Sequence, residues 1–176
     1  MKRRQALKIS SIGAISLTTS IGSSCSKHVY FFHHGVASGD PLNDRVILWT
    51  RVTPQQAGPI EVILEVSENK NFSSIIFSKK LQTSSLLDYT IKYDFLAKQY
   101  CDSGDGFFYR FRAGNAISEV GKSKTFSENT IAAKIGIFSC SNFPAGYFNA
   151  YQAAAEKNDL DLWLHLGDYL YEYPMG

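Results

Sequence analysis

Three residues in the C-terminal part of the 176-residue chain carry side chains that can bind a metal ion: Cys140, Asp168 and Tyr171. A positive ion keeps a thiol ionised, so a thiolate and a carboxylate can share one metal. A phenolate suits a strongly Lewis-acidic ion such as ferric iron, whereas a carboxylate also suits calcium. Two ions bridged by Asp168 would bind a phosphate and activate water for attack on it.

Each of these residues also has an ordinary structural interpretation. A lone Cys140 is more often a small buried residue than a ligand. Asp168 also suits the N-cap of a helix, and Tyr171, like the tyrosines beside it, suits the core or its rim. The residue types alone leave both interpretations open.

The segments around these residues predict a βαβ unit. Residues 131–138 and 160–166 are apolar runs of strand length, and the second, bounded by a glycine, reads as a buried strand. Residues 146–157 place aromatic and alanine side chains at three- and four-residue spacing, which predicts a helix. Parallel strands joined by a helix end at the same edge of a sheet, so Cys140 and Asp168 are expected to lie side by side.

The preceding part of the chain predicts an antiparallel β-sandwich. Apolar and polar residues alternate with a period of two in residues 60–66, 89–95 and 107–113, as they do in half-buried strands. Turn sequences rich in Gly, Pro, Asp and Ser separate the strands, and no long helical pattern lies between them. Such spacing is typical of immunoglobulin-like or fibronectin-like sandwiches. The expected fold class is α+β, with the sandwich first and the βαβ unit after it.

The N-terminus has the three-part pattern of an export signal. A basic start with Arg3 and Arg4 precedes an uncharged stretch, residues 9–21, that is too short and too polar to span a membrane. The paired arginines resemble a twin-arginine signal, whose partner is the twin-arginine translocase, and an ordinary export signal is the alternative. Lipid anchoring through Cys25 is disfavoured because Gly22 stands where a leucine is usual. The protein is therefore expected in the periplasm or outside the cell.

Charge and cysteine content exclude other classes. The formal net charge is +2, and removal of the leader, with its four basic and no acidic residues, would change it to −2. No basic run follows the leader, which argues against nucleic-acid binding. Three cysteines are too few for a disulfide scaffold.

Three motifs in order resemble the alkaline phosphatase D-like family of calcineurin-like metallophosphatases. The first is GVASGDP, residues 35–41, followed by VILWTR. The second is FSCSN, residues 138–142, followed by GYFNAY, and the third is LHLGDYLYE, residues 164–172. The resemblance extends from about residue 31 to the last residue of the chain. Each motif is moderately specific, and their combination is specific to this family.

The resemblance implies a sandwich followed by the first βαβ unit of a four-layer α/β/β/α metallophosphatase domain. It implies an enzyme that hydrolyses phosphate mono- and diesters at alkaline pH by a metal-activated hydroxide, with Fe3+ and Ca2+ as cofactors. Cys140 and Tyr171 match the iron ligands of the family, and Asp168 matches the aspartate that bridges the metals. The implied parts are a signal peptide, a sandwich domain and the start of a truncated catalytic domain, at residues 1–25, 30–128 and 131–176.

Members of this family are much longer than 176 residues, and their later metal-binding motifs have no counterpart here. We therefore expect the chain to be a fragment of an enzyme, without phosphatase turnover and with weak metal binding at best. The catalytic and substrate-binding residues stay unassigned. The alternative, from another class, is a secreted β-sandwich that binds a partner and carries a vestigial catalytic tail.

Overall fold

A computed structural model describes residues 28–142, 146–157, 159–169 and 171. The predicted signal peptide, including Cys25, and the last residues of the third motif, other than Tyr171, lie outside the described residues. In the described part, twelve strands and one α-helix follow one another: β1 (Tyr30–Phe31), β2 (Val36–Gly39), β3 (Val46–Arg51), β4 (Thr53–Pro54), β5 (Ile60–Ser67), β6 (Ile75–Thr83), β7 (Thr90–Phe95), β8 (Gly106–Ala113), β9 (Ala116–Ile117), β10 (Gly121–Lys124), β11 (Ile135–Phe138), α1 (Asn149–Lys157) and β12 (Leu162–His165).

The first ten strands form antiparallel sheets. One sheet has the order β2-β3-β7, and a larger one has the order β10-β8-β5-β6 with β9 beside β8. Strands β1 and β4 form a separate pair. Among the helices in the described part, none is long and apolar enough to cross a membrane.

Side chains from the two larger sheets share one apolar core. Leu48 and Phe95 from the smaller sheet and Leu64 and Phe111 from the larger one are fully buried in the same cluster. Along β8, residues 107, 109, 111 and 113 are buried while those between them are partly exposed, as the period of two predicts. The prediction of an antiparallel, sandwich-like β unit is confirmed.

The last three elements form the predicted βαβ unit. Strands β11 and β12 pair in parallel, with Ile135 opposite Leu162 and Phe138 opposite His165, and α1 lies between them in the chain. Their parallel pairing confirms the βαβ prediction. The arrangement of a complete four-layer domain stays a prediction.

The elements of this unit are shorter than the sequence predicts. The strands begin at Ile135 and Leu162, several residues into the predicted runs, and the helix begins at Asn149. The late start of the helix has a local cause, because Phe148 has a φ of 31°, which is incompatible with a right-handed helix. The carbonyl of Phe148 instead accepts the first helical hydrogen bonds, from the amides of Tyr151 and Gln152.

Strand β12 is not buried, contrary to the expectation from its apolar sequence. Trp163 and Leu164 are 57% and 43% exposed, and Ile137 on β11 is 63% exposed. Phe138 is better covered because the Tyr151 ring of α1 stacks on it with 4.8 Å between centroids. Parallel strands are ordinarily covered on both faces, and the described residues provide only part of that cover.

Asp161 connects the sandwich to the parallel sheet. Its carboxylate accepts a hydrogen bond from the ammonium group of Lys124 on β10 and another from the backbone amide of Lys134, at 2.7 Å. The hydrogen bond from Lys124 is the main reason that the pKa of Asp161 lies below its ordinary value. The carboxylate therefore binds the last strand of the sandwich and the start of β11 together.

A substitution at Gly121 on β10 can test how closely the sandwich is packed. A Cβ atom at this position would lie 2.3 Å from the ring carbon Cζ of Tyr109, which is itself buried. We expect Gly121→Ala to lower the free energy of unfolding by about 1–3 kcal/mol, because a buried ring must move. Denaturant unfolding measures the change. Gly39→Ala is the matched control, since its Cβ would meet nothing within 4 Å, and equal loss in both variants would contradict the packing described.

The buried phenol of Tyr109 is expected to make the stability of the fold fall at alkaline pH. Burial raises the pKa of its phenol to about 12, against an ordinary value of 10.0. The unfolded chain therefore loses this proton first as the pH rises, and stability falls between pH 10 and 12 by on the order of 2 kcal/mol. Denaturant unfolding of Tyr109→Phe across this range should show a flatter pH dependence. If the free energy of unfolding of the variant fell as steeply with pH as that of the unmodified chain, other groups would be responsible for the loss of stability at alkaline pH.

Candidate metal centre

The parallel ladder continues past the ends of both strands and aligns the two loops that follow. The amide of Leu166 donates to the carbonyl of Phe138 at 2.8 Å, directly beyond the strand register. The amide of Cys140 donates to the carbonyl of Gly167 at 3.2 Å. The amide of Ser141 donates to the carbonyl of Asp168 at 3.1 Å. Cys140 and Asp168 are therefore held opposite each other, as the βαβ topology predicts.

Both loops turn sharply at the residues that carry the chemistry. Cys140 and Asp168 have φ values of 56° and 52°, in the left-handed region that side chains other than glycine rarely adopt. Gly167 has a φ of 120°, which requires a glycine. Each such non-glycine conformation costs of order 1–3 kcal/mol and persists only where surrounding contacts enforce it. The backbone hydrogen bonds between the two loops are contacts that can enforce these conformations at Cys140 and Asp168.

The thiol, the carboxylate and the phenol lie within contact of one another. The Cys140 thiol donates to Asp168 Oδ2 over a distance of 3.5 Å. A hydrogen bond with Cys140 is the main reason that the pKa of the half-buried Tyr171 phenol is raised, followed by desolvation and the negative charge of Asp168. The three candidate ligands therefore form one cluster, and Cys140 and Asp168 are exposed at the edge of the sheet.

The composition of this cluster fits a bound cation. All three groups are negative when ionised, and among the described residues no lysine or arginine forms an ion pair with Asp168. No group of three or more His, Cys, Asp and Glu residues in the described ranges is arranged to hold a metal. A bound cation would stabilise the ionised forms of the thiol and the phenol beside the carboxylate. The role of the three residues as metal ligands stays a prediction.

A second polar cluster, which the sequence reasoning missed, lies directly behind this site. The ring nitrogen Nε2 of His165 is 3.0 Å from the hydroxyl of Tyr151 and 3.3 Å from Oγ of Ser141, and those two hydroxyls also hydrogen-bond each other. The Tyr169 ring packs edge-on against His165 at 5.1 Å. The available signal was a single polar residue, His165, within the otherwise apolar strand β12.

Comparisons with known proteins agree along most of the chain. The family model of the N-terminal domain of PhoD-like phosphatases matches residues 18–127, and the model of PhoD-like phosphatases matches residues 135–176. Alkaline phosphatase D of Bacillus subtilis (strain 168) is 35% identical over 156 residues, which cover 82% of this chain and 26% of the relative. A solved structure of PhoD has a TM-score of 0.70 and 34% identity, over 79% of this chain and 28% of that one.

These matches first define a class, the proteins with phosphatase-type domains, in agreement with the resemblance of the three motifs. Within that class, the chain belongs to the PhoD-like phosphatase family. It spans about a quarter of the length of the curated relative it matches. The solved PhoD structure also supports the fold described above.

Proposed function

We propose that this chain supplies the β-sandwich and the first metal ligands of an exported, metal-dependent phosphoesterase that cleaves phosphate mono- or diesters. The observation that carries the proposal is the convergence of Cys140, Asp168 and Tyr171 at one edge of a parallel sheet. Membership of the PhoD-like phosphatase family supports the reaction class. The substrate is a phosphate ester, and its identity is left open.

The proposed roles come from the family resemblance and suit the chemistry of the side chains. Cys140 and Tyr171 would hold ferric iron, a strongly Lewis-acidic ion that suits a phenolate ligand. Asp168 would bridge to calcium, which takes oxygen ligands. When bound, such a pair of ions supplies Lewis acidity for a phosphate and lowers the pKa of water. The exposure of Cys140 and Asp168 leaves room for an ester to approach.

Export and the division into domains belong to the same proposal. Residues 1–25 act as the twin-arginine-type leader, so the protein would be periplasmic or extracellular, with the twin-arginine translocase as its export partner. Export in the folded state suits a protein that binds its metal before it crosses the membrane. The sandwich would occupy residues 30–128 and the catalytic part residues 131–176. The N-terminal family match begins at residue 18, inside the proposed leader.

The alternative function, a secreted sandwich that binds a partner, has less support. It treats the segment after the sandwich as vestigial, yet that segment matches the phosphatase model over residues 135–176 and brings three possible ligands together. Backbone hydrogen bonds also hold Cys140 and Asp168 opposite each other.

Removal of the thiol tests the metal site. In a titration with ferric iron followed by visible absorption and bound-iron content, we expect Cys140→Ala to weaken binding at least about tenfold and to lose the thiolate charge-transfer absorption. Cys101→Ala is the matched control, because Cys101 is the other free cysteine in the described part and lies in the sandwich. Iron content that is equal in Cys140→Ala and in the unmodified chain would count against Cys140 as a ligand.

The 176 residues alone are expected to be inactive. Calcium takes about six to eight oxygen ligands, and the three proposed ligands supply only part of the coordination shells of two ions. With ferric iron and calcium present, the purified chain should hydrolyse neither p-nitrophenyl phosphate nor its bis ester above the rate of the Cys140→Ala preparation. If the unmodified chain hydrolysed either ester and Cys140→Ala did not, these residues would form a working catalytic site.

A further inference from the structure

We propose that Ser141, Tyr151 and His165 form a positioning network that holds Cys140 and Asp168 in the conformations that metal binding needs. The inference deepens the proposed function and rests on it. The three residues come from three different elements: the loop after β11, helix α1 and strand β12. They meet directly behind the two strained residues of the candidate metal centre.

The hydrogen bonds of the network have a definite direction. The backbone amide of Gly167 lies 3.3 Å from Nδ1 of His165, and because an amide can only donate, Nδ1 accepts. The imidazole proton therefore sits on Nε2, which donates to the hydroxyl of Tyr151 at 3.0 Å. The Tyr151 hydroxyl in turn can donate to Oγ of Ser141. This chain of donors runs from the loop after β12, through the helix, to the loop after β11.

The two ends of this chain are next to the two candidate ligands. Gly167 precedes Asp168, and Ser141 follows Cys140. A left-handed conformation at a non-glycine residue persists only when neighbouring contacts enforce it. The backbone bonds of Cys140 to Gly167 and of Ser141 to Asp168 provide part of that enforcement, at 3.2 and 3.1 Å. The side-chain network joins the same two loops through Gly167 at one end and Ser141 at the other.

The aromatic contacts explain how the network keeps its shape. The Tyr151 ring stacks on Phe138 at 4.8 Å and lies nearly parallel to the ring of His165, at 6.5 Å. Tyr169 closes the other side of His165 edge-on. The rings fix where the hydroxyl and the imidazole nitrogen can reach, so Oγ of Ser141 meets two donors, the Tyr151 hydroxyl and Nε2 of His165, whose positions are already set. Ser141, Tyr151 and His165 are therefore assigned as positioning residues, which act through the ligands.

The experiment compares Ser141→Ala, which removes the hydroxyl, with Ser141→Thr, which keeps it. Hydrogen exchange of the amides of Cys140 and Ser141 is measured without metal. We expect exchange to quicken about tenfold in Ser141→Ala, the effect of one lost hydrogen bond, and to be restored in Ser141→Thr. Amides within β11 and β12 should keep their protection from exchange.

The second variant, Tyr151→Phe, keeps the stacked ring. It should show a smaller increase in exchange than Ser141→Ala, because Ser141 then remains 3.3 Å from Nε2 of His165.

Tyr147→Phe is the matched control for the tyrosine variant, because Tyr147 lies before the helix and is 89% exposed. Ferric iron alone is the second probe, and Ser141→Ala should bind it about tenfold more weakly than the unmodified chain, with a shifted charge-transfer band. Unchanged exchange in Ser141→Ala overturns the network, as does iron binding that is measurable in the unmodified chain and equally tight in the variant. If exchange quickens as expected but the unmodified chain binds no ferric iron, the proposed function fails while the network stands.

Discussion

The parallel pairing of β11 with β12 is the constraint on which the candidate site depends. Its register sets Phe138 opposite His165, and the ladder then continues to Cys140 and Gly167 without a break. Two residues that are 28 positions apart in sequence thereby reach a thiol-to-carboxylate distance of 3.5 Å. A shift of the register by one residue would turn the strand side chains to opposite faces and separate the pair.

The sandwich contributes by anchoring this small sheet. Its own core is tightly packed, with Leu48, Leu64, Phe95 and Phe111 fully buried, and it makes contact with the βαβ unit through the carboxylate of Asp161. The two-stranded sheet itself has several exposed apolar side chains, and in the described part of the chain one helix covers it. Two-stranded sheets are marginally stable by themselves, so anchoring to a well-packed unit stabilises the edge that carries the candidate ligands.

Much of this arrangement could be predicted from the sequence, and the failures have physical causes. The alternation along β8 and the juxtaposition of Cys140 with Asp168 follow from strand periodicity and from the topology of a βαβ unit. The late start of α1 could not be predicted, because it depends on the left-handed conformation of Phe148. The exposure of β12 was missed because an apolar run shows that burial is favoured, and not which neighbours provide it. The contact of His165 with Tyr151 and Ser141 joins three elements, and periodicity within one element cannot reveal it.

The central claim is that the sulfur of Cys140 belongs to a metal site shared with Asp168 and Tyr171. X-ray absorption spectroscopy at the iron edge, on the chain loaded with ferric iron, tests it most directly because it reports the atoms bound to iron. We expect one sulfur ligand together with oxygen ligands, and loss of the sulfur signal in Cys140→Ala. Bound iron with only oxygen or nitrogen ligands in the unmodified chain would contradict it.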